Sequence, residues 1–171
     1  MANTYTAIAT TTVGSGGAST ISFTSIPGTY TDLVLALSLR QSGSGGSNVA
    51  MTFNSSTTSY TNIDLIVANT SITSESTVLG TSSIKIGFIT SPDYTSSTFA
   101  NTQVYIPNYA GSNYKTVSTE QVMENNASTV YFGLFAGLWS NTSGITSITL
   151  TPQTGNFIQY STATLYGISK S

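Results

Sequence analysis

Residues 32–40 read DLVLALSLR, and Leu33, Leu35, Leu37 and Leu39 fall on every second position. Successive side chains of a β-strand point to opposite faces, so this spacing puts all four leucines on one face. In a helix the same residues would spread around the circumference, because two positions correspond to a rotation of about 200°. The stretch therefore predicts a half-buried strand whose leucines lie in the core.

The same alternation recurs along the chain, between clusters rich in Gly, Pro, Asn and Ser. Each run predicts a strand with its apolar residues on the buried face, and each cluster predicts a turn. About ten such strands indicate an all-β protein, and we expect a two-sheet antiparallel β-sandwich, jelly-roll-like, in a single domain over residues 1–171. The further runs begin at Val49, Ile63, Ile84, Val104, Val130, Ile148 and Ile158.

Five segments have a less certain pattern and are interpreted one by one. Residues 118–126, STEQVMENN, have a capping-box pattern, but their alternation favours a strand over a helix. Residues 55–61 and 69–83 are the least patterned, and we expect long loops over one end of the sandwich. The glycine clusters at 14–17 and 43–46 lack the lysine and following helix of a phosphate-binding loop, so they predict hairpin loops.

The chain carries very little charge for its length. Of 171 residues, 6% are charged and the net charge is −2, against about 25% charged residues in ordinary soluble proteins. The four basic residues are scattered, so no basic surface for nucleic acid is expected. Ser and Thr number 28 and 31, and they replace charge as the source of solubility. Such a surface suits burial by neighbouring molecules, or it reflects the fit of Ser and Thr to exposed strand faces.

Several kinds of chemistry are excluded by residues that the chain lacks. There is no histidine and no cysteine, which removes the usual general base, thiolate metal sites, disulfides and every nucleophile paired with histidine. The six acids form no catalytic or calcium-binding motif, and Glu120 and Glu124 are interpreted as a solvated pair. We therefore expect no enzyme activity, no cofactor and no metal. No apolar run is long enough to span a membrane, and no signal peptide is recognisable.

Lys85 lies between Ile84 and Ile86 in a predicted strand. A lysine and an asparagine with a nearby buried acid can form an intramolecular isopeptide bond, and Lys85 is the candidate for such a bond. An outward-facing lysine that discourages pairing at a strand edge is the favoured interpretation.

Aromatic residues are the remaining candidates for binding. Tyr94, Tyr109 and Tyr114 fall in predicted loops, and Trp139 ends the run VYFGLFAGLW. Tyrosine and tryptophan rings serve both as interface anchors and as platforms for sugars. We take all four as candidate contacts with a partner protein or a glycan, with a buried core position as the alternative for Trp139.

Three stretches together resemble a β-sandwich module that is widespread in virion proteins of tailed bacteriophages, especially phages of aquatic bacteria. They are SFTSIPGTYTDLVLALSLR (22–40), VYIPNYAGSNYKTVS (104–118) and ITSITLTPQTGNFIQYSTATLYGISKS (145–171). The resemblance runs from about Tyr5 to the C-terminus and leaves out residues 42–83. It implies that residues 107–114 form a hairpin turn in which Gly111 supplies a positive φ.

The resemblance implies a structural role in a virion. We expect a head decoration (cement) protein, made in the host cytoplasm, which binds the outside of the capsid and clamps neighbouring copies of the major capsid protein. Self-association is expected, with a homotrimer preferred by analogy with threefold positions in capsids. The alternative is the tip of a tail fibre that recognises a cell-surface glycan through Tyr and Asn side chains.

Overall fold

The structure is a computed structural model that describes residues 4–124 and 130–169, with the side chains of 77–80 excepted. Over these residues the chain forms twelve β-strands and no helix. The all-β prediction is confirmed, with twelve strands where the sequence indicated about ten. The strands are β1 (Tyr5–Thr12), β2 (Ile21–Phe23), β3 (Asp32–Leu39), β4 (Ser47–Phe53), β5 (Tyr60–Ala68), β6 (Ser71–Thr81), β7 (Ile84–Ile89), β8 (Ala100–Ile106), β9 (Lys115–Glu124), β10 (Val130–Trp139), β11 (Ile148–Pro152) and β12 (Thr162–Ile168).

The strands form two antiparallel sheets of unequal size. The large sheet has the order β1-β12-β3-β8-β9-β10-β5-β6, and the small sheet has the order β2-β11-β4-β7. Two antiparallel sheets that share a core agree with the predicted β-sandwich. Jelly-roll-like connectivity stays a prediction.

The leucines of β3 lie in the core, as their spacing predicts. Leu33, Leu35, Leu37 and Leu39 are at most 3% exposed. In the large sheet β3 lies between β12 and β8, so its inner side chains sit at the centre of the covered face. The small sheet contributes buried side chains from the opposite side, among them Phe23, Met51, Phe53, Ile84, Ile86, Ile148 and Leu150.

Strands β5 and β10 reverse the predicted assignment of faces. The alternating apolar residues that begin at Ile63 and Val130 lie on the outer face of the large sheet, and the prediction that they are buried was wrong. The run that begins at Ile158 is reversed too, since β12 starts only at Thr162 and buries Ala163 and Leu165 instead. The inner face of β10 carries glycines between aromatic residues. A Cβ atom on Gly137 would lie 2.5 Å from Cγ2 of Ile84 in β7. Glycine at this position therefore lets the two sheets approach closely.

Residues 69–83 are mostly strand, so the prediction of a long loop was wrong. β5 and β6 form a hairpin whose turn contains Asn69 with φ of 54°. Asparagine tolerates this left-handed conformation better than most residues. Residues 55–59 are a loop, as predicted, and Tyr60 already begins β5. The preference for a strand over 118–126 is confirmed as far as Glu124, and the two residues that follow lie outside the described ones.

The two glycine clusters join different sheets, so they are not hairpin loops. Residues 14–17 lead from β1 in the large sheet to β2 in the small sheet, and residues 43–46 lead from β3 to β4 in the same way. The expectation of hairpins was wrong because a Gly-rich cluster marks a change of direction and does not specify which strands pair.

The hairpin at residues 107–114 is confirmed, since it joins the paired strands β8 and β9. The predicted role of Gly111 was wrong, because the positive φ in this turn, 46°, belongs to Asn108. Gly111 is instead required by space. A Cβ atom there would lie 2.5 Å from Oδ1 of Asn108 and 2.6 Å from Oδ1 of Asn113. The buried Lys115 fastens the turn by donating to the carbonyl of Gly111 at 2.7 Å.

Candidate interaction surface

The outer face of the large sheet carries a continuous row of apolar side chains across β5, β10 and β9. In the antiparallel register Leu134 of β10 lies opposite Leu65 of β5, and Phe132 lies opposite Val67. On its other side Phe132 lies opposite Val122 of β9. Side chains directly opposite each other on one face of a sheet are within contact distance, so these residues form one surface.

We call this surface the outer apolar strip. Its members are large hydrophobic side chains that are between 36% and 72% exposed, a state that is unusual for so many neighbouring residues. A shallow groove of about 520 Å³, with Ile63, Leu65 and Leu134 among its lining residues, runs along it. The strip consists of Ile63, Leu65, Ile72, Val122, Val130, Phe132 and Leu134.

The charge near the strip comes from two exposed acids on β9. Glu120 lies opposite Leu134, and Glu124 lies opposite Val130. The remainder of the outer face of β9 offers the hydroxyls of Thr116 and Ser118. An apolar centre with a polar border is the usual arrangement of a protein–protein interface.

Tyr109 and Trp139 lie in the core, so burial removes them from the candidate binding residues. Tyr109 is fully buried and donates its hydroxyl hydrogen to the carbonyl of Pro27. Trp139 is 1% exposed and stacks on Tyr60, with 6.1 Å between the ring centres. The core position considered for Trp139 is confirmed, although its indole N–H has no hydrogen-bond partner among the described residues.

Tyr94 and Tyr114 lie at opposite ends of β8 and do not form one site. Tyr114 ends the turn before β9 and is 56% exposed. Tyr94 is half-buried in the loop before β8, where burial and a hydrogen bond with the hydroxyl of Tyr131 raise its pKa. Because β8 has seven residues, the two loops are separated by roughly 20 Å.

The side chain of Arg40 holds the loop that contains Tyr94 through hydrogen bonds. The Arg40 side chain donates from Nη1 to the carbonyls of Thr95 at 3.0 Å and Thr98 at 2.8 Å, and from Nη2 to the carbonyl of Tyr94 at 3.3 Å. Arg40 is 6% exposed, and this burial lowers its pKa. A buried guanidinium that donates to three backbone carbonyls holds the loop in place.

The strongest polar cluster joins the two sheets. Nζ of Lys85 in β7 lies 2.5 Å from Oδ2 of Asp64 in β5 and 3.6 Å from Oε2 of Glu75 in β6. Asp64 is 5% exposed, although strand alternation gave no sign that a carboxylate faces inward there. Lys85 does lie in an edge strand of the small sheet, but its ammonium group points to the buried carboxylate, so the outward-facing interpretation was wrong.

Other site chemistry is sparse in the described part of the chain. Among residues 4–124 and 130–169 no group of three or more acidic side chains is placed to hold a metal ion. Within the same residues no helix is long and apolar enough to cross a bilayer. Function can therefore be argued from two features. One is the outer apolar strip, and the other is the cluster of Lys85, Asp64 and Glu75, which we call the Lys85 cluster.

Comparisons with known proteins give no assignment. No protein-family model matches the chain, no curated protein matches it, and no solved structure matches it.

Proposed function

We propose that this chain is a structural protein of a bacteriophage virion, a head decoration protein that binds the outside of the capsid as a homo-oligomer. The observation that carries the assembly role is the outer apolar strip, a contiguous apolar surface on an otherwise polar sandwich. The phage assignment and the jelly-roll-like connectivity rest on the resemblance of residues 22–40, 104–118 and 145–171 to virion modules.

The strip is large enough to form the apolar centre of an interface. Seven branched or aromatic side chains at 36% to 72% exposure make up on the order of several hundred Å², the range in which apolar patches are often functional. A standard interface buries about 800 Å² on each partner. The strip supplies the apolar centre of such an interface, and the hydroxyl-rich border of β9 supplies the remainder.

The occupant that we propose for the strip is a second copy of the chain, with the trimer as the preferred state. The net charge of −2 produces little repulsion between copies. An oligomer formed through this face presents several identical copies of its remaining surface to the major capsid protein. Weak contacts made by each copy then add up through avidity, and this is how a decoration protein clamps neighbouring capsid subunits.

The alternative is the tip of a tail fibre that recognises a cell-surface glycan. Its support is weaker than that for the decoration role. Among the four candidate rings only Tyr114 is exposed and only Tyr94 is half-exposed, and these two lie at opposite ends of β8. Sugar-binding sites need several convergent groups in one place. The outer apolar strip also lacks the polar groups that a glycan needs.

The copy number of the chain in purified virions tests the proposal. Quantitative mass spectrometry against the major capsid protein should give hundreds of copies per particle, because a decoration protein follows the capsid lattice. A few copies to a few dozen would contradict the decoration role and favour the fibre tip. Failure to find the chain in virions at all would reject both.

A further inference from the structure

We propose that Lys85 and Asp64 condense spontaneously in the folded protein to an amide (isopeptide) bond that joins the two sheets, with Glu75 as the proton-transferring group. Lys85 belongs to β7 of the small sheet, whereas Asp64 belongs to β5 of the large sheet. The bond would thus be a covalent link between layers that otherwise associate by packing and hydrogen bonds. This inference does not depend on the proposed function.

The reacting groups are already in contact, through an oxygen bonded to the carbon that the lysine nitrogen would attack. Nζ of Lys85 and Oδ2 of Asp64 are 2.5 Å apart, which is shorter than the roughly 2.7–2.9 Å typical of a charge-assisted N–H···O bond. Both side chains are shielded, since they are 20% and 5% exposed. A nucleophile and an electrophile held in such proximity react as if at very high concentration, with effective molarities of about 10⁵–10⁸ M in well-oriented cases.

The backbone around Lys85 is fixed by a second residue of β5. Oδ1 of Asn62 accepts a hydrogen bond from the backbone N–H of Lys85 at 2.8 Å, and Nδ2 of Asn62 donates to the carbonyl of Ser83 at 3.1 Å. These bonds hold the unpaired edge of β7 against β5. They therefore fix the position of the Lys85 backbone relative to Asp64. Preorganisation of this kind lowers the entropy cost of the reaction.

Aromatic rings shield the ammonium group from water. Nζ of Lys85 lies 4.9 Å from the ring centre of Phe88 and 5.6 Å from that of Phe135. Tyr131 packs on Phe88 with 5.6 Å between ring centres and extends this apolar cover. Removing water favours condensation over the ion pair, because hydration stabilises the two charged groups more than it stabilises the neutral amide.

Glu75 is placed to move the proton. It lies opposite Asp64 in the pairing of β5 with β6, and its Oε2 is 3.6 Å from Nζ of Lys85. One carboxylate is thus the electrophile, and the second, on the neighbouring strand, is free to accept and return a proton. At 69% exposure Glu75 lies on the solvent side of the cluster.

The reaction balances without any co-reactant. The ammonium group of Lys85 passes one proton to Asp64, which becomes a carboxylic acid, and a second to Glu75 as the nitrogen lone pair attacks the Asp64 carbonyl carbon. A C–N bond forms, a C–O bond breaks, and the hydroxyl leaves as water with the proton that Glu75 returns. One ammonium and one carboxylate are converted into one amide and one water. An asparagine partner, as considered from the sequence, would have released ammonia instead.

The intact mass of the purified full-length chain, measured under denaturing conditions, tests the inference. The chain should be lighter than its sequence by one water molecule. Lys85→Arg and Asp64→Ala should each restore the mass that their own sequence requires. An unmodified mass for the parent chain would overturn the proposal.

Loss of water at a succinimide elsewhere has the same mass, so the bond must also be located. Tandem mass spectrometry of a chymotryptic digest should find one branched peptide joined through Lys85 and Asp64. Water loss without this peptide, or water loss that persists in Lys85→Arg, would contradict the inference. This readout uses the parent protein, so it decides the question even where a variant fails to fold.

The role of Glu75 has its own matched pair of variants. Glu75→Gln should slow bond formation by a factor of about 100 or more, the usual contribution of a positioned acid–base group. Glu120→Gln makes the same change at an exposed glutamate on the outer face of β9 and should leave bond formation unchanged. Equal rates in the two variants would show that Glu75 takes no part.

Discussion

Leu65 of β5 and Leu134 of β10 are directly opposite each other on adjacent strands, on the outer face of the large sheet. Both side chains are nearly half exposed, at 44% and 45%. A leucine pair in this register normally marks a buried face. Here the inner face of the same two strands is filled by other groups, including Asp64, Phe135 and Trp139. The pair is therefore apolar surface that folding of one chain leaves uncovered.

Leu134→Lys should abolish self-association and leave the fold intact. The side chain is exposed, so we expect a change in the free energy of unfolding within about 0.5–1 kcal/mol. A charge in the centre of an apolar interface must be desolvated without a partner, which disfavours the oligomer. Light scattering after size-exclusion chromatography measures the mass in solution. Gln103→Lys, at an exposed position on β8, is the matched control and should retain the parent's oligomeric state; loss of the oligomer in both variants would point to a general charge effect.

Leu35→Asp and Leu65→Asp should differ sharply although they are the same substitution. Leu35 is fully buried, so an aspartate there places an unpaired charge in the core and should cost more than about 4 kcal/mol, enough to prevent folding. Leu65 faces solvent, and its variant should keep a cooperative thermal transition with a small shift in Tm. Circular dichroism during heating compares the two. Similar behaviour of both variants would mean that the faces of β3 and β5 are assigned wrongly.

The sequence predicts strands well because the period of two is visible in one strand alone. The face that becomes buried depends on the opposite sheet, which a single strand does not reveal. In β3 the four alternating leucines outweigh the smaller Val34, Ala36 and Ser38 on the opposite face, and their burial was predicted correctly. In β10 the residues between the exposed apolar positions are Gly133, Phe135, Gly137 and Trp139. The glycines leave room for the small sheet, and the flat rings of Phe135 and Trp139 fit beneath it.

The candidate site was less accessible to sequence reasoning. Loop position predicted exposure for Tyr109, but the turn folds its ring into the core, where the carbonyl of Pro27 accepts its hydroxyl hydrogen. The Lys85 cluster assembles three strands from both sheets, and only the tertiary structure brings Asp64 to the lysine. An acid between apolar residues, such as Asp64 in TNIDLIV (61–67), is a weak sequence signal, and only the position of Lys85 gives it meaning.

Tyr109→Ala and Tyr114→Ala should separate a core tyrosine from a surface tyrosine. Removing the buried ring of Tyr109 leaves a cavity and should cost about 3–5 kcal/mol. Tyr114 is exposed, so its variant should change stability by no more than about 0.5 kcal/mol. Urea denaturation measures both. If Tyr114→Ala is as destabilising as Tyr109→Ala, the turn packs more tightly than its exposure indicates.

The difference in stability between the parent chain and the Tyr109→Phe variant should disappear at alkaline pH. Burial raises the pKa of Tyr109 above its ordinary value of 10.0. Above pH 10 the unfolded state loses this proton while the folded state still holds it, so the folded state binds more protons. The stability contributed by the Tyr109 hydroxyl is therefore fully present below about pH 10 and is lost as the pH rises through the raised folded pKa.

Thermal unfolding of the parent chain and of Tyr109→Phe between pH 7 and pH 11 measures this effect. At neutral pH the variant should be less stable by about 1 kcal/mol, because it lacks the hydrogen bond to Pro27. The difference in Tm should narrow above pH 10. Tyr114→Phe is the control for loss of a tyrosine hydroxyl, since its ring is exposed and its hydroxyl makes no such bond among the described residues. A Tyr109→Phe difference that does not change with pH would show that the hydroxyl titrates alike in the folded and unfolded chain.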